Sequence, residues 1–171
     1  MIYYRDILAE SLVDGTGLRV TAFLQGCPRH CLECHNPLLI PFSGGIELSE
    51  HAFADEILKQ VTPLHQGITF SGGDPLAQSE ALLTVIMLIK ERQPRLNIWV
   101  YTGYIYENIQ HWPVLSLIDV LVDGPFVLAE KDLDLPFRGS GNQRLIDILQ
   151  TRSKGEITVL PIDKFTRSHD I

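Results

Sequence analysis

Apolar and polar positions along this chain fall into two periods. Short runs rich in β-branched and aromatic residues, "RVTAFLQG" (19–26), "GITFSGG" (67–73), "NIWVYTG" (97–103) and "LIDVLVDGPF" (117–126), read as strands that stop at glycines. Between them lie longer stretches with the helical repeat. Ser49 is placed to cap a helix reaching about Val61, with Phe53, Ile57 and Val61 on one face. A second helix is expected from about Gln78 to Arg92, where "ALLTVIMLIK" is almost wholly apolar and Pro94 limits extension. Residues 105–110 read as a short helix, 145–149 as helical, and "EITVLP" (156–161) as a last strand. This alternation predicts an α/β fold of parallel strands joined by crossover helices. No repeat, low-complexity tract or linker interrupts it, and 171 residues suit one domain spanning 1–171.

The polar motifs sit at corresponding places in that pattern. "GCPRHCLECHNP" (26–37), Gly72-Gly73-Asp74-Pro75, Thr102-Gly103 and Asp123-Gly124 each follow the expected C-terminal end of a different strand. Ligands bind at that edge of a parallel sheet, because its loops converge there. The four segments are therefore expected to share one crevice.

Composition narrows the class. With 45% hydrophobic and 20% charged residues the chain is an ordinary folded domain. A net charge of -7 argues against a grip on a nucleic-acid backbone, which needs clustered Lys and Arg. The N-terminus lacks a basic start followed by an apolar run, and no stretch approaches the ~20 apolar residues of a membrane helix, so a cytoplasmic protein is expected. In that reducing compartment a disulfide is a poor reading of the three cysteines.

Cys27, Cys31 and Cys34 lie within eight residues, spaced C-x3-C-x2-C. Thiolates are soft donors suited to iron–sulfur clusters or zinc. A structural zinc site commonly draws on a second ligand pair, which this chain lacks, while His35 directly follows Cys34 and would have to fold back to share its metal. Three thiolates on a [4Fe-4S] cluster would leave one iron open to a small molecule. The spacing leaves a cluster, a zinc site and redox-active thiols in play. "SGGDP" (71–75) reads first as a turn. Its adjacent glycines would also let backbone approach a ligand, with Asp74 as an acceptor for an ammonium group. Trp99 and Trp112 read as packing residues, and "RGSGNQR" (138–144) as either a solvated turn or a contact to cofactor or partner.

Taken together, "CPRHCLEC" and "GGDP" resemble the radical S-adenosylmethionine superfamily. Within it, "VDGTGLRVTAFLQGC" and "CHNP" are similar to enzymes that activate glycyl-radical enzymes. "NIWVYTGY", "IDVLVDGPF" and "RGSGNQR" resemble the branch acting on the anaerobic ribonucleoside-triphosphate reductase. Glu33 stands where many members have an aromatic, and Asp14-Gly15-Thr16-Gly17 replaces the usual Asp-Gly-Pro-Gly. The resemblance implies that Cys27, Cys31 and Cys34 hold a [4Fe-4S] cluster whose open iron takes the amino and carboxylate groups of S-adenosylmethionine. Gly72, Gly73 and Asp74 would hold its methionine end, with Glu33, His35, Thr102 and Asp123 as further cofactor contacts.

The implied chemistry is reductive cleavage of S-adenosylmethionine and removal of a hydrogen atom from a backbone glycine of the reductase. A flavodoxin- or ferredoxin-type protein would donate the electron. No side-chain base or nucleophile is required. At 171 residues the chain is short of a full barrel of ~250, so an incomplete β/α barrel of parallel strands, of the radical S-adenosylmethionine type, is expected. Two rivals stay open: an enzyme of the same superfamily acting on a small molecule, as the compact carboxy-deazaguanine synthases do, or on another glycyl-radical enzyme, and a non-catalytic zinc module.

Overall fold

The computed structural model describes residues 1–162. Four strands, β2 (Arg19–Leu24), β4 (Gly67–Gly72), β5 (Asn97–Tyr101) and β6 (Val120–Asp123), run parallel and adjacent in that order. The four expected strands are present and parallel, with the fourth confined to Val120–Asp123. The sheet nevertheless has seven strands and is mixed, in the order β3-β1-β2-β4-β5-β6-β7. β1 (Ile2–Ser11), β3 (Ile46–Leu48) and β7 (Arg144–Asp147) all pair antiparallel. β1 and β3 carry no clear sequence signal. In β1, charged and apolar residues mix out of register, and β-bulges interrupt its pairing with β2.

Two sequence expectations need correcting at the C-terminal side. Residues 145–149 are not one helix: Leu145 and Ile146 belong to β7, and α4 (Ile148–Lys154) begins after Asp147, whose carboxylate accepts from Gln150 N. Arg144 decides the strand, because its guanidinium reaches Asp123 on β6 and fixes the pairing register. Residues 156–161 form no strand but one isolated bridge, Val159 to Ile146. The main helices are close to expectation: α1 (Glu50–Gln60) is capped by Ser49, which accepts from Ala52 N at 3.2 Å, and α2 is Ser79–Arg92. The short α3 covers Tyr106–Ile109.

Strand alternation sorts the sheet into two faces. Val20, Ala22, Leu24, Ile68, Phe70, Ile98, Val100 and Leu121 form one core with Phe53 and Ile57 of α1 and Leu82, Val85, Ile86 and Ile89 of α2. The opposite face carries Arg19, Thr21, Thr69, Trp99 and Val122, and Phe137 packs edge-on against Trp99 at 5.5 Å. Arg19 is fully buried there. It donates to Thr69 Oγ1, Thr16 O, Ile68 O and both oxygens of Asn97, and stacks on Trp99. Burial holds its guanidinium down at about 10. It thereby ties the loop bearing Asp14 to three strands. Among the described residues, no helix is long and apolar enough to cross a membrane.

Candidate functional site

The carboxyl ends of the four parallel strands open into a cavity of about 580 Å³. Its wall includes Cys27, Cys31 and Cys34, with His35, Gly72, Gly73, Thr102, Gly103, Gly124 and Arg138. The expected convergence of four strand-end segments is thus present. Three of the anticipated residues stand outside that wall. Glu33 is solvent-exposed with φ of 54°, a left-handed conformation that lets the loop turn between Cys31 and Cys34. Asp74 and Asp123 are each 1% exposed and lie behind the wall.

The cysteine loop is seated by backbone bonds. Gly26 N donates to Leu39 O at 2.8 Å and Cys27 N to Ile40 O at 2.9 Å, closing the loop on itself. Gly73 N donates to Leu24 O and Asp74 N to Gly26 O, both at 2.8 Å, docking the loop on the end of β4. This docking explains the two glycines. A Cβ on Gly72, where φ is 115°, would lie 2.4 Å from Leu24 O, and one on Gly73 would lie 2.4 Å from Gly26 O. The space that their missing side chains free is taken by the chain's own backbone as well as bordering the cavity.

Asp74 is the hub behind the wall. Its carboxylate accepts from Thr102 Oγ1 at 2.8 Å, from Gly103 N and Leu76 N at 3.1 Å, and from Arg29 Nη1 at 2.6 Å. Burial pushes the Asp74 carboxyl above its ordinary range, against the pull of those donors. Arg29, between Cys27 and Cys31, also stacks on Tyr104 with its guanidinium carbon 4.0 Å from the ring centre. Sequence reasoning passed over Arg29; its position inside the cysteine loop was the signal. Asn36 was likewise missed: its N–H donates to Cys34 Sγ at 3.4 Å and its amide to Gly72 O at 3.3 Å. Burial pushes the Cys27 thiol up, with the backbone N–H of Arg29 pulling the other way.

Asp123 is fixed differently, accepting from Tyr106 N at 2.8 Å and from Arg144, which also pairs with Glu107 at 2.8 Å. His35 packs edge-on against Phe126 at 5.7 Å.

The donor set fits an iron–sulfur cluster. All three thiols are free, partly exposed and in one cavity wall. Among the described residues, no three His, Cys, Asp or Glu side chains are grouped so as to hold a single metal ion. A cluster makes no such demand, since each of its thiolates takes a different iron.

Comparison with known proteins bears on the same residues. The family described as a 4Fe-4S single cluster domain matches residues 13–146, which takes in the cysteine loop and all four strand ends. The anaerobic ribonucleoside-triphosphate reductase-activating protein of Haemophilus influenzae is 36% identical over 147 residues, covering 82% of this chain and 94% of that protein. The chain belongs to this family of activating proteins. Its counterpart from Enterobacteria phage T4 is 34% identical over 147 residues, covering 83% of this chain and 92% of the relative. The crystal structure of QueE from Escherichia coli aligns with a TM-score of 0.47 and 16% identity, over 60% of this chain and 52% of that one.

Proposed function

We propose that this chain is a radical S-adenosylmethionine enzyme that activates the anaerobic ribonucleoside-triphosphate reductase, removing a hydrogen atom from one of its backbone glycines. The observation that carries the reading is the meeting of Cys27, Cys31 and Cys34 with Gly72 and Gly73 in one cavity, in a member of this family. The three thiolates would hold a [4Fe-4S] cluster, leaving one iron for the amino and carboxylate groups of S-adenosylmethionine. Cluster and S-adenosylmethionine together supply a one-electron reductive cleavage and the hydrogen-abstracting radical.

The chain's own residues position and shield. Gly72 and Gly73 offer backbone to the methionine end, and His35 and Thr102 reach the cofactor from the wall. Asp74 and Asp123 act from behind it, holding the ends of β4, β5 and β6 in place, while Glu33 turns the loop between Cys31 and Cys34. The single domain is an incomplete β/α barrel whose open side admits a peptide segment of the reductase, in the cytoplasm. A flavodoxin- or ferredoxin-type protein delivers the electron.

The test is anaerobic reconstitution with iron and sulfide, followed by S-adenosylmethionine, a reductant and the reductase. Iron and sulfide near four per chain and methionine release that rises when the reductase is added support the reading. A colourless zinc protein that leaves S-adenosylmethionine intact overturns it.

A further inference from the structure

The segment Arg138–Arg144 forms a cross-linked loop whose bonds hold it against the end of β6. Gln143 Oε1 accepts from Gly139 N at 2.9 Å and Ser140 N at 3.2 Å, while its amide donates to Gly124 O at 3.1 Å. Asn142 donates to Pro125 O at 2.8 Å. Such a loop is a rigid platform, and Arg138 is the cation it presents to the cavity.

Arg138 is underused by the protein. Among the described residues its guanidinium makes one hydrogen bond, from Nη1 to Gln143 O at 3.1 Å, and enters no ion pair. Among the described residues its Nε is shut off from solvent and has no acceptor. A buried N–H without a partner is costly, so the free chain keeps this donor in place unsatisfied. The other arginine of the wall, Arg29, is committed to Asp74 and Tyr104.

We propose that Arg138 is an anion-binding residue of the cavity, and that its ligand is the α-carboxylate of S-adenosylmethionine, reached by a small shift of the guanidinium inward. The inference rests on the proposed function. A planar fork of N–H donors matches a carboxylate in shape and charge. The place of Arg138 in the same cavity wall as the three cysteines favours a small ligand inside the cavity over a side chain of the partner protein.

The test compares cluster-loaded wild type, Arg138→Gln and Arg138→Lys by equilibrium dialysis with S-adenosylmethionine and with decarboxylated S-adenosylmethionine. Iron content and thermal midpoint are measured on each chain. Arg138→Gln is expected to weaken S-adenosylmethionine binding roughly ten- to a hundredfold, with Arg138→Lys intermediate and iron content unchanged. Decarboxylated S-adenosylmethionine should bind all three chains alike, or none. Equal losses for both ligands, no loss for S-adenosylmethionine, or a loss confined to reductase binding overturns the proposal; the last result assigns Arg138 to the partner. Failure of cluster-loaded wild type to bind S-adenosylmethionine overturns the proposed function itself.

Discussion

Arg29 joins the cysteine loop to the sheet. It carries the charge that faces buried Asp74, so its removal leaves a carboxylate with less than its full set of donors. Losing one partner of such a pair costs about 2–4 kcal/mol. Arg29→Ala should therefore lower the thermal midpoint of the cluster-free chain and lose iron faster to a chelator, both read against wild type. Arg29→Lys keeps the charge and forfeits the flat stacking on Tyr104, so it should fall between them. An unchanged rate of iron loss in Arg29→Ala would remove the residue from the site's architecture.

Glu107 offers a contrast at the same scale. Hydrogen bonds from Arg144 hold its carboxyl down at about 2, yet its side chain is half exposed, so the pair contributes at most ~1 kcal/mol. A depressed carboxylate stabilises the fold above its unfolded value near 4.5 and stops doing so as pH falls through about 2. Glu107→Gln should thus be slightly less stable than wild type at pH 7, with the difference closing between pH 4.5 and 2 in denaturant titrations.

Among the elements, legibility followed amphipathic contrast. β2, β4 and β5 were readable because apolar, β-branched runs ended at glycine, and α1 because Ser49 and one apolar face coincided. β7 was misread as helix because four residues show no period, and its register depends on Arg144 meeting Asp123, a contact across 21 positions. β1 was hidden by charged residues on an outer part of the sheet. The meeting of the cysteine loop and the glycine pair at one sheet edge was legible from their places after the strands, whereas Arg29 and Asn36 act through tertiary contacts that no short motif encodes. The glycine pair makes its own prediction. Gly73→Ala places a Cβ against Gly26 O and Leu39 O, so the cysteine loop must lift from β4. The substituted chain should still fold around the α1 and α2 core, by circular dichroism, but retain less than half the iron of wild type after reconstitution. Full iron retention would show that the loop has another seat.

For the whole molecule, the two faces of the sheet divide the work. Helices cover one face with an apolar core, and the other carries Arg19, Thr21, Thr69 and Trp99 beside a cavity at the strand ends. Replacing any one of Cys27, Cys31 and Cys34 by Ser should abolish stable cluster assembly, read as loss of the broad visible absorption, while the secondary structure survives.

If the proposed function holds, this cavity generates a radical used on a glycine of another protein. The most direct measurement is electron paramagnetic resonance of the reductase after anaerobic incubation with the reconstituted chain, S-adenosylmethionine and reductant. A glycyl-radical doublet is expected, collapsing to a singlet when the reductase carries glycine deuterated at the α-carbon and absent with the Cys31→Ser chain. Turnover of S-adenosylmethionine with no such doublet on the reductase would contradict it.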